Sequence, residues 1–270
     1  MQEWRVIEDV PKTGESNMNI DRAILASCGS GESLPTLRLY SWEQPTLTVG
    51  YAQDFAKEID INRCQKLGIE IVRRPTGGRA LLHNHEVTYS FTAPIPHNKF
   101  PPSLLGAYKT VAKALLEGLK EAGVYGAVLA SGKKTTIGKH SFHSPSCLSS
   151  INHLEIEVQG AKLVGSAQRR TKKAFLQHGS ILLDCDRALV NSLFKFETDD
   201  ARCRSMEILN HKVVTLSECL GKSMTRKEVF KALIKGFSHT LKGNWVLGHL
   251  NSFELIKCTS NSYSKENINI

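Results

Sequence analysis

Residues 72–91 constrain the fold of this chain more than any other stretch: Val-Arg-Arg-Pro-Thr-Gly-Gly-Arg-Ala-Leu-Leu-His-Asn-His-Glu-Val-Thr-Tyr-Ser-Phe. On one side Ile69-Glu70-Ile71-Val72 alternates and is β-branched. On the other, Val87 to Phe91 alternates again, so two strands flank the loop. A Gly77-Gly78 pair permits positive φ and lets a ligand approach the backbone, where bare N–H groups receive an anion or a carbonyl oxygen. Arg73, Arg74 and Arg79 add fork-shaped cationic donors suited to phosphate or carboxylate. Taken alone, the glycine pair reads as a plain hairpin turn. Three arginines and His83 around the same turn favour a ligand-binding loop.

Composition narrows the classes. No apolar run approaches the roughly 20 residues of a membrane span, and Met1-Gln2-Glu3-Trp4-Arg5 lacks a signal-peptide core, so no membrane role is expected. The seven cysteines (28, 64, 147, 185, 203, 219, 258) are scattered and never in Cys-x-x-Cys spacing. That argues against a metal site or disulfide framework and for reduced thiols in a cytoplasm. The formal charge of +9 calls for acidic partners, with nucleic acid, an acidic carrier protein and a phosphorylated cofactor all fitting. No helix-turn-helix, zinc finger or aromatic-basic RNA motif supports nucleic acid. Without repeats or linkers, residues 1–258 read as one domain with its core in 35–240, and 259–270 as a polar, disordered tail.

In order, Trp4–Ile7 reads as a strand and Asn17–Leu25 as a helix ended by the Gly-Ser-Gly at 29–31. Leu37–Trp42 is an alternating strand, broken by Pro45, with Thr46–Tyr51 as its hairpin partner; Tyr40 and Trp42 read as core. Ile59–Leu67 is expected to be helical. Ser103 is a candidate N-cap for a long amphipathic helix, Leu104–Ala122, closed by Gly123. Ser131–His140 is a polar surface loop that lacks phosphate-loop spacing and leads to Ser144-Pro145-Ser146-Cys147. A lone cysteine among small residues is more often incidental than catalytic. Glu155–Val158, the Gln159-Gly160 turn and Lys162–Gln168 then form a hairpin, in which a lysine is as readily a solvated turn residue as a functional one. Residues 198–204 read as a charged loop and 217–222 as a helical turn. Thr225 with Glu228 forms a capping box that opens a helix through Leu241.

Arg-Arg-Pro-Thr-Gly-Gly-Arg-Ala-Leu-Leu-His, ending in Thr-Tyr-Ser-Phe, resembles the signature loop of the lipoate–biotin protein ligase and octanoyltransferase superfamily, where it wraps an acyl chain and its activated head group. Gly78-Arg79 in place of a third glycine, and the lack of a Tyr-His-Gly-Pro-Gly run, resemble the cysteine-dependent bacterial octanoyltransferases that acylate the glycine-cleavage H protein. In that branch the nucleophile stands as far before an x-Glu-Leu/Ile-x-Val strand as Cys147 does here. A Gly-x-Lys turn follows, matching Lys162, and then Gly165-Ser166-Ala167-Gln168. Residues 148–154 depart from the branch's usual Phe-x-x-Pro-Ser-x-Tyr, whereas Gln177–Leu182 matches its next strand closely. The resemblance also places Gln53 of the Gly-Tyr-x-Gln turn near the acyl site. It implies an α+β fold, a mostly antiparallel mixed sheet flanked by helices with a smaller sheet beside it.

The implied activity is octanoyl transfer from acyl carrier protein to a lysine of a lipoyl-domain protein, through a thioester on Cys147 and without a cofactor. The acceptor is the H protein or a 2-oxoacid dehydrogenase subunit, and the chain is expected to be a monomer. Moving an acyl group from thioester to amine is easier in two steps through a cysteine thiolate, which cationic surroundings favour. Lys162 would hold the thioester carbonyl and help deprotonate the attacking amine. Arg73, Arg74, Gly77, Gly78, Arg79, His83, Gln53, Gly165, Ser166 and Ala167 are the candidate substrate-binding residues. Two other readings stand beside this one. The first is an ATP-dependent lipoate ligase making an acyl-adenylate, which commonly carries a further C-terminal domain not found after Leu241. The second is a non-catalytic acyl- or carrier-binding module.

Overall fold

The computed structural model describes residues 1–130 and 155–259; Cys147 and the polar loop before it lie outside the described residues. In chain order come β1 (Glu3–Glu8), α1 (Gly14–Ser30), β2 (Thr36–Tyr40), β3 (Thr46–Val49), α2 (Phe55–Glu58), α3 (Ile61–Lys66), β4 (Glu70–Arg73), β5 (Leu81–His83), β6 (Glu86–Pro94), α4 (Leu104–Glu121) and β7 (Ala127–Leu129). After residue 154 follow β8 (Ile156–Val158), β9 (Ala161–Arg170), β10 (Ala174–Leu182), α5 (Arg187–Ser192), α6 (Asp199–Lys212), α7 (Leu216–Leu220), α8 (Arg226–Leu241), β11 (Asn244–Leu247) and α9 (Ser252–Thr259). An eight-stranded sheet runs β11-β1-β2-β6-β10-β9-β8-β7, and a three-stranded sheet runs β4-β3-β5. In the large sheet only the pairs made by β1 with β11 and β2 are parallel. It is the mixed, mostly antiparallel sheet with a smaller companion that the signature loop implies.

β6 shows how the layers are built. Val87, Tyr89, Phe91 and Ala93 face α4 and α8 and pack with Leu115, Leu119, Leu233 and Phe237 in the main core. The alternate residues Thr88, Ser90 and Thr92 would meet water on a one-sided sheet. Here they are also buried, because α1 lies across that face. Ser103 caps α4 at Gly106 N, and Thr225 with Glu228 forms the reciprocal capping box of α8. α1 ends at Gly31, whose φ of 80° is the left-handed conformation that suits glycine. A second core, with Leu47, Val49, Leu82, Val190 and Leu209, joins the small sheet to α5 and α6.

Several expectations fail for identifiable reasons. β3 is not the hairpin partner of β2: β2 pairs with β1 and β6, while β3 pairs with β4 and β5 in the other sheet. Pro45 therefore marks a crossing between sheets. The stretch between Val72 and Val87 carries a strand of its own, β5. Residues 198–204, charged enough to read as loop, instead cap and open α6, which is fixed through buried Ser205 and Leu209. The expected 59–67 helix is shortened to α3, with α2 before it.

β11 and α9 had no sequence counterpart. Arg5 on β1 holds them: its Nη2 and Nη1 donate to Glu254 Oε1 and Oε2 at 2.5 and 2.9 Å, and its Nη1 also donates to His249 O at 3.0 Å. Glu254 is fully buried. Glu254→Ala, which strands a buried guanidinium, is expected to destabilise by about 3–5 kcal/mol, read as a lowered midpoint in urea unfolding.

Candidate active site

A cavity opens where the two sheets meet, with about 540 Å³ of empty space, part of it open to solvent. Its apolar wall is Met18, Tyr40, Trp42 and Leu81; its close-approach walls are Gly77-Gly78 and Gly165-Ser166-Ala167 facing Gly179. Arg74, His83, His178 and Glu155 also border it. Tyr40 and Trp42 are thus buried, as read from the sequence, and yet line a space.

One buried carboxylate organises the back of this cavity. Asp21 of α1 accepts from Arg38 Nη1 at 3.0 Å, Ser90 Oγ at 2.9 Å, Tyr40 Oη at 2.9 Å and His178 Nδ1 at 3.1 Å. Burial alone would protonate Asp21, but the bond from His178 and the Arg38 charge outweigh it and hold its pKa below the ordinary 3.8. Burial depresses His178 below its usual 6.5 despite Asp21, so the ring is neutral near pH 7. With Nδ1–H given to Asp21, Nε2 is left as an acceptor. It takes the hydroxyl of Thr76 at 2.6 Å. The signature loop is thereby tied to the centre of the large sheet.

A second buried cluster fixes the front. Glu86 accepts from Trp42 Nε1 at 2.9 Å and from Thr88, and contacts His83 Nδ1 at 2.9 Å; His83 Nε2 meets Thr48 Oγ1 at 2.9 Å. The His83 ring lies on Trp42 with 4.1 Å between centroids.

The arginines of the loop are used differently from the sequence expectation. Arg73 Nη1 donates to the carbonyls of Gly50, Tyr51 and Gln53 at 2.7, 2.8 and 3.3 Å. Arg74 donates to the carbonyls of Gly77, Arg79 and Thr48. These bonds shape the backbone, and Gly78, at φ 98°, closes the turn directly over the Arg74 guanidinium. Arg74, Gly77, Gly78, His83, Gly165, Ser166 and Ala167 border the cavity; Arg73, Arg79 and Gln53 do not. The Gln53 side chain instead accepts from Gly50 N and donates to Glu58.

Lys162 does not line the cavity but lies against two residues that do, Glu155 and Gly165, through a fault in the ladder. Ile156 pairs with Val164 but Glu157 pairs with Lys162, so Leu163 is an extra, bulged residue. In a regular strand residues 162 and 165 face opposite sides; the bulge re-aims Lys162. A Cβ on Gly165 would lie 2.8 Å from Lys162 Cε and 3.2 Å from its Nζ, so a larger residue there would push the lysine from its place. Nζ, buried, donates to Glu155 Oε1 at 2.5 Å. Sequence reasoning passed over Asp21, Glu86 and Glu155. Nothing marks the first two, but Glu155 stands in a recognisable strand motif.

Two packed sheets with an arginine–glycine loop clamped over a lysine-bearing strand define a lipoyl ligase type of catalytic domain. The family model for the lipoyl protein ligase A/B catalytic domain matches residues 13–238, and the chain belongs to that family. It is 36% identical to Octanoyltransferase LipM of Carboxydothermus hydrogenoformans over 93% of this chain and 91% of the relative. It is 32% identical to Octanoyltransferase LipM of Clostridioides difficile over 100% and 99%. Among solved structures it is similar to an archaeal bipartite lipoate protein ligase from Thermoplasma acidophilum, with TM-score 0.78 and 21% identity over 96% of this chain and 91% of that one. At that identity the likeness is one of fold. The relatives make this chain an acyltransferase.

The Asp21–His178 pair predicts an acid-sensitive fold. Below pH 6.5 the unfolded chain protonates residue 178, while the folded chain, with its depressed pKa, does so only at lower pH. Stability therefore falls as pH drops, by up to about 1.4 kcal/mol per pH unit from this group. Asp21 adds a further loss below its ordinary 3.8. Thermal melts between pH 8 and pH 5 should decline for the wild type, and His178→Gln should flatten that decline.

Proposed function

We propose that this acyltransferase moves an octanoyl group from the thioester of acyl carrier protein to one lysine of a lipoyl-domain protein, the glycine-cleavage H protein foremost, through a thioester on Cys147. It works as a monomer and without a cofactor. The observation that carries the reading is the position of Glu155 and Lys162. Glu155 lines the cavity, Lys162 is bonded to it and packs beside Gly165, and Cys147 precedes Glu155 by eight residues. That tether, up to about 27 Å when extended, is long enough to let the thiol reach an acyl group lying between the two glycine walls.

The chemistry suits these parts. The Cys147 thiolate attacks the donor thioester, the carrier thiolate leaves, and the acyl group is stored without change in bond energy. Lys162 supplies positive charge where the carbonyl oxygen becomes an oxyanion. The names of the curated relatives support the octanoyl group as cargo. A basic groove supports an acidic donor. Arg22, Arg169, Lys172 and Lys173 line it together with Pro75 of the signature loop, and the chain carries +9 overall. Charge of this kind speeds encounter and is screened by salt.

Intact-mass spectrometry after mixing with octanoyl-acyl carrier protein, without ATP, should give a hydroxylamine-labile octanoyl adduct on the wild type and none on Cys147→Ala. Acyl-AMP formed from lipoate and ATP, with no adduct, would replace the proposal with a ligase. In steady state, raising salt from 50 to 500 mM should increase KM for the carrier roughly tenfold, with kcat little changed; a salt-independent KM would remove the basic groove from the account.

A further inference from the structure

On three elements the cavity passes into a second recess. On α1, Met18 borders the cavity and Arg22, about one turn further along, borders the recess. On β9, Ala167 borders the cavity and Arg169, on the same face of the strand, the recess. In the signature loop Gly77 gives way likewise to Pro75. The recess is the basic groove, with about 1,040 Å³ of empty space, part of it open to solvent. Leu25, Ala26, Gly29 and Ser30 of α1 form one side and the turn between β9 and β10 the other. The two sides close together at Gly29, where a Cβ would lie 3.4 Å from Lys173 Cβ and 3.5 Å from Ala174 Cβ. Among the described residues no Asp or Glu borders the groove, and none occurs between Val158 and Leu183. Arg169 is held in place: its Nη1 donates to Pro75 O at 3.1 Å, and its guanidinium lies 5.4 Å from the centre of the Tyr51 ring. Lys172 and Lys173 are exposed, and among the described residues no carboxylate pairs with them or with Arg169.

A run of cations at a hairpin tip is ordinarily a solvated surface. Here it lines a concave passage leading out of the cavity, and a cleft lined by one sign of charge concentrates its field on an opposite charge. A donor for such a cavity brings its acyl group on a linear arm. Carrier proteins hold it on pantetheine, an uncharged chain joined to the protein through one phosphate. We propose that the groove is a binding subsite for that arm, and that Arg169, Lys172 and Lys173 hold its phosphate. This rests on the acyl-transfer reading and gives the groove a ligand within it. The face of a folded protein meets only the rim of a recess, whereas a chain of single bonds can lie along it, from phosphate to thioester. Arginine offers paired donors to two phosphate oxygens, and the lysines offer point charge. Leu25 and Ala26 give the arm's carbon chain an apolar side to lie against.

The test compares two small donors that differ only in the phosphate, octanoyl-4′-phosphopantetheine and octanoyl-pantetheine, with no carrier protein present. The rate of adduct formation at low donor concentration is read by intact-mass spectrometry. Wild type should acylate about tenfold or more faster from the phosphorylated donor, and the advantage should shrink as salt is raised. Lys172→Gln/Lys173→Gln should lose most of that advantage while its rate from octanoyl-pantetheine stays near wild type. Arg169→Gln should lose it too; because Arg169 also anchors Pro75, the readout there is the ratio between donors. Lys227→Gln/Lys231→Gln, which removes two exposed charges from α8, should keep the advantage in full. Equal wild-type rates from the two donors would overturn the proposal. So would an advantage that survives in Lys172→Gln/Lys173→Gln, or one that falls equally in the α8 variant, since net charge would then account for it. An adduct from octanoyl-acyl carrier protein but from neither small donor would also overturn it, by moving recognition to the carrier's protein surface. No adduct from any of the three donors would instead remove the acyl-transfer reading itself.

Discussion

The structure depends on one buried carboxylate. Asp21 receives donors from β2, β6 and β10, and each of those strands would otherwise present a polar side chain to the underside of a helix. A buried charge is tolerated only when its lone pairs are filled and a countercharge is near. Arg38 is that countercharge, and it also reaches Asp9 and Asn17. The result is a polar cluster between α1 and the large sheet, set among the apolar contacts of Met18, Ile20, Ile24 and Leu25. Such a cluster admits few alternative packings, because sliding α1 by a fraction of a turn would break several charge-assisted bonds together.

That rigidity passes to the chemistry. Through His178 the same carboxylate positions Thr76, and through Thr76 it sets the glycine loop over the cavity. The loop's arginines complete the work by binding backbone carbonyls. A loop so fixed gives up adaptability, and its backbone keeps one shape beside the cavity. On the opposite wall, the bulge at Leu163 brings the ammonium of Lys162 over Gly165, although strand periodicity would turn it away.

The sequence made plain what short-range physics decides. The capping box at Thr225, the Ser103 cap, the amphipathic face of α4 and the glycine termination of α1 were all legible. So was the loop of residues 73–83, because arginines and glycines in that density have few other uses. What escaped was decided by distant partners. Nothing near Thr46 says that it pairs with residues 70 and 83 rather than with β2. α6 is mostly polar and takes its helix from two buried residues and a cap. Asp21 looks like any surface aspartate on a helix until β2, β6 and β10 arrive beneath it. Arg73 and Arg74 were legible as important, but not as scaffolding, since their acceptors are carbonyls that composition does not mark.

The parallel seat of β1 between β2 and β11 carries a consequence for assembly. Glu3 pairs with Asn244 and Val6 with Leu247, contacts that close loops of about 240 residues. During synthesis β1 can join β2 early, but its outer edge stays bare until residues 244–247 have been made. β11 then covers that edge, and α9 packs on α1, the helix that bears Asp21. The helix behind the cavity is therefore backed from its far side by elements distant from it in sequence.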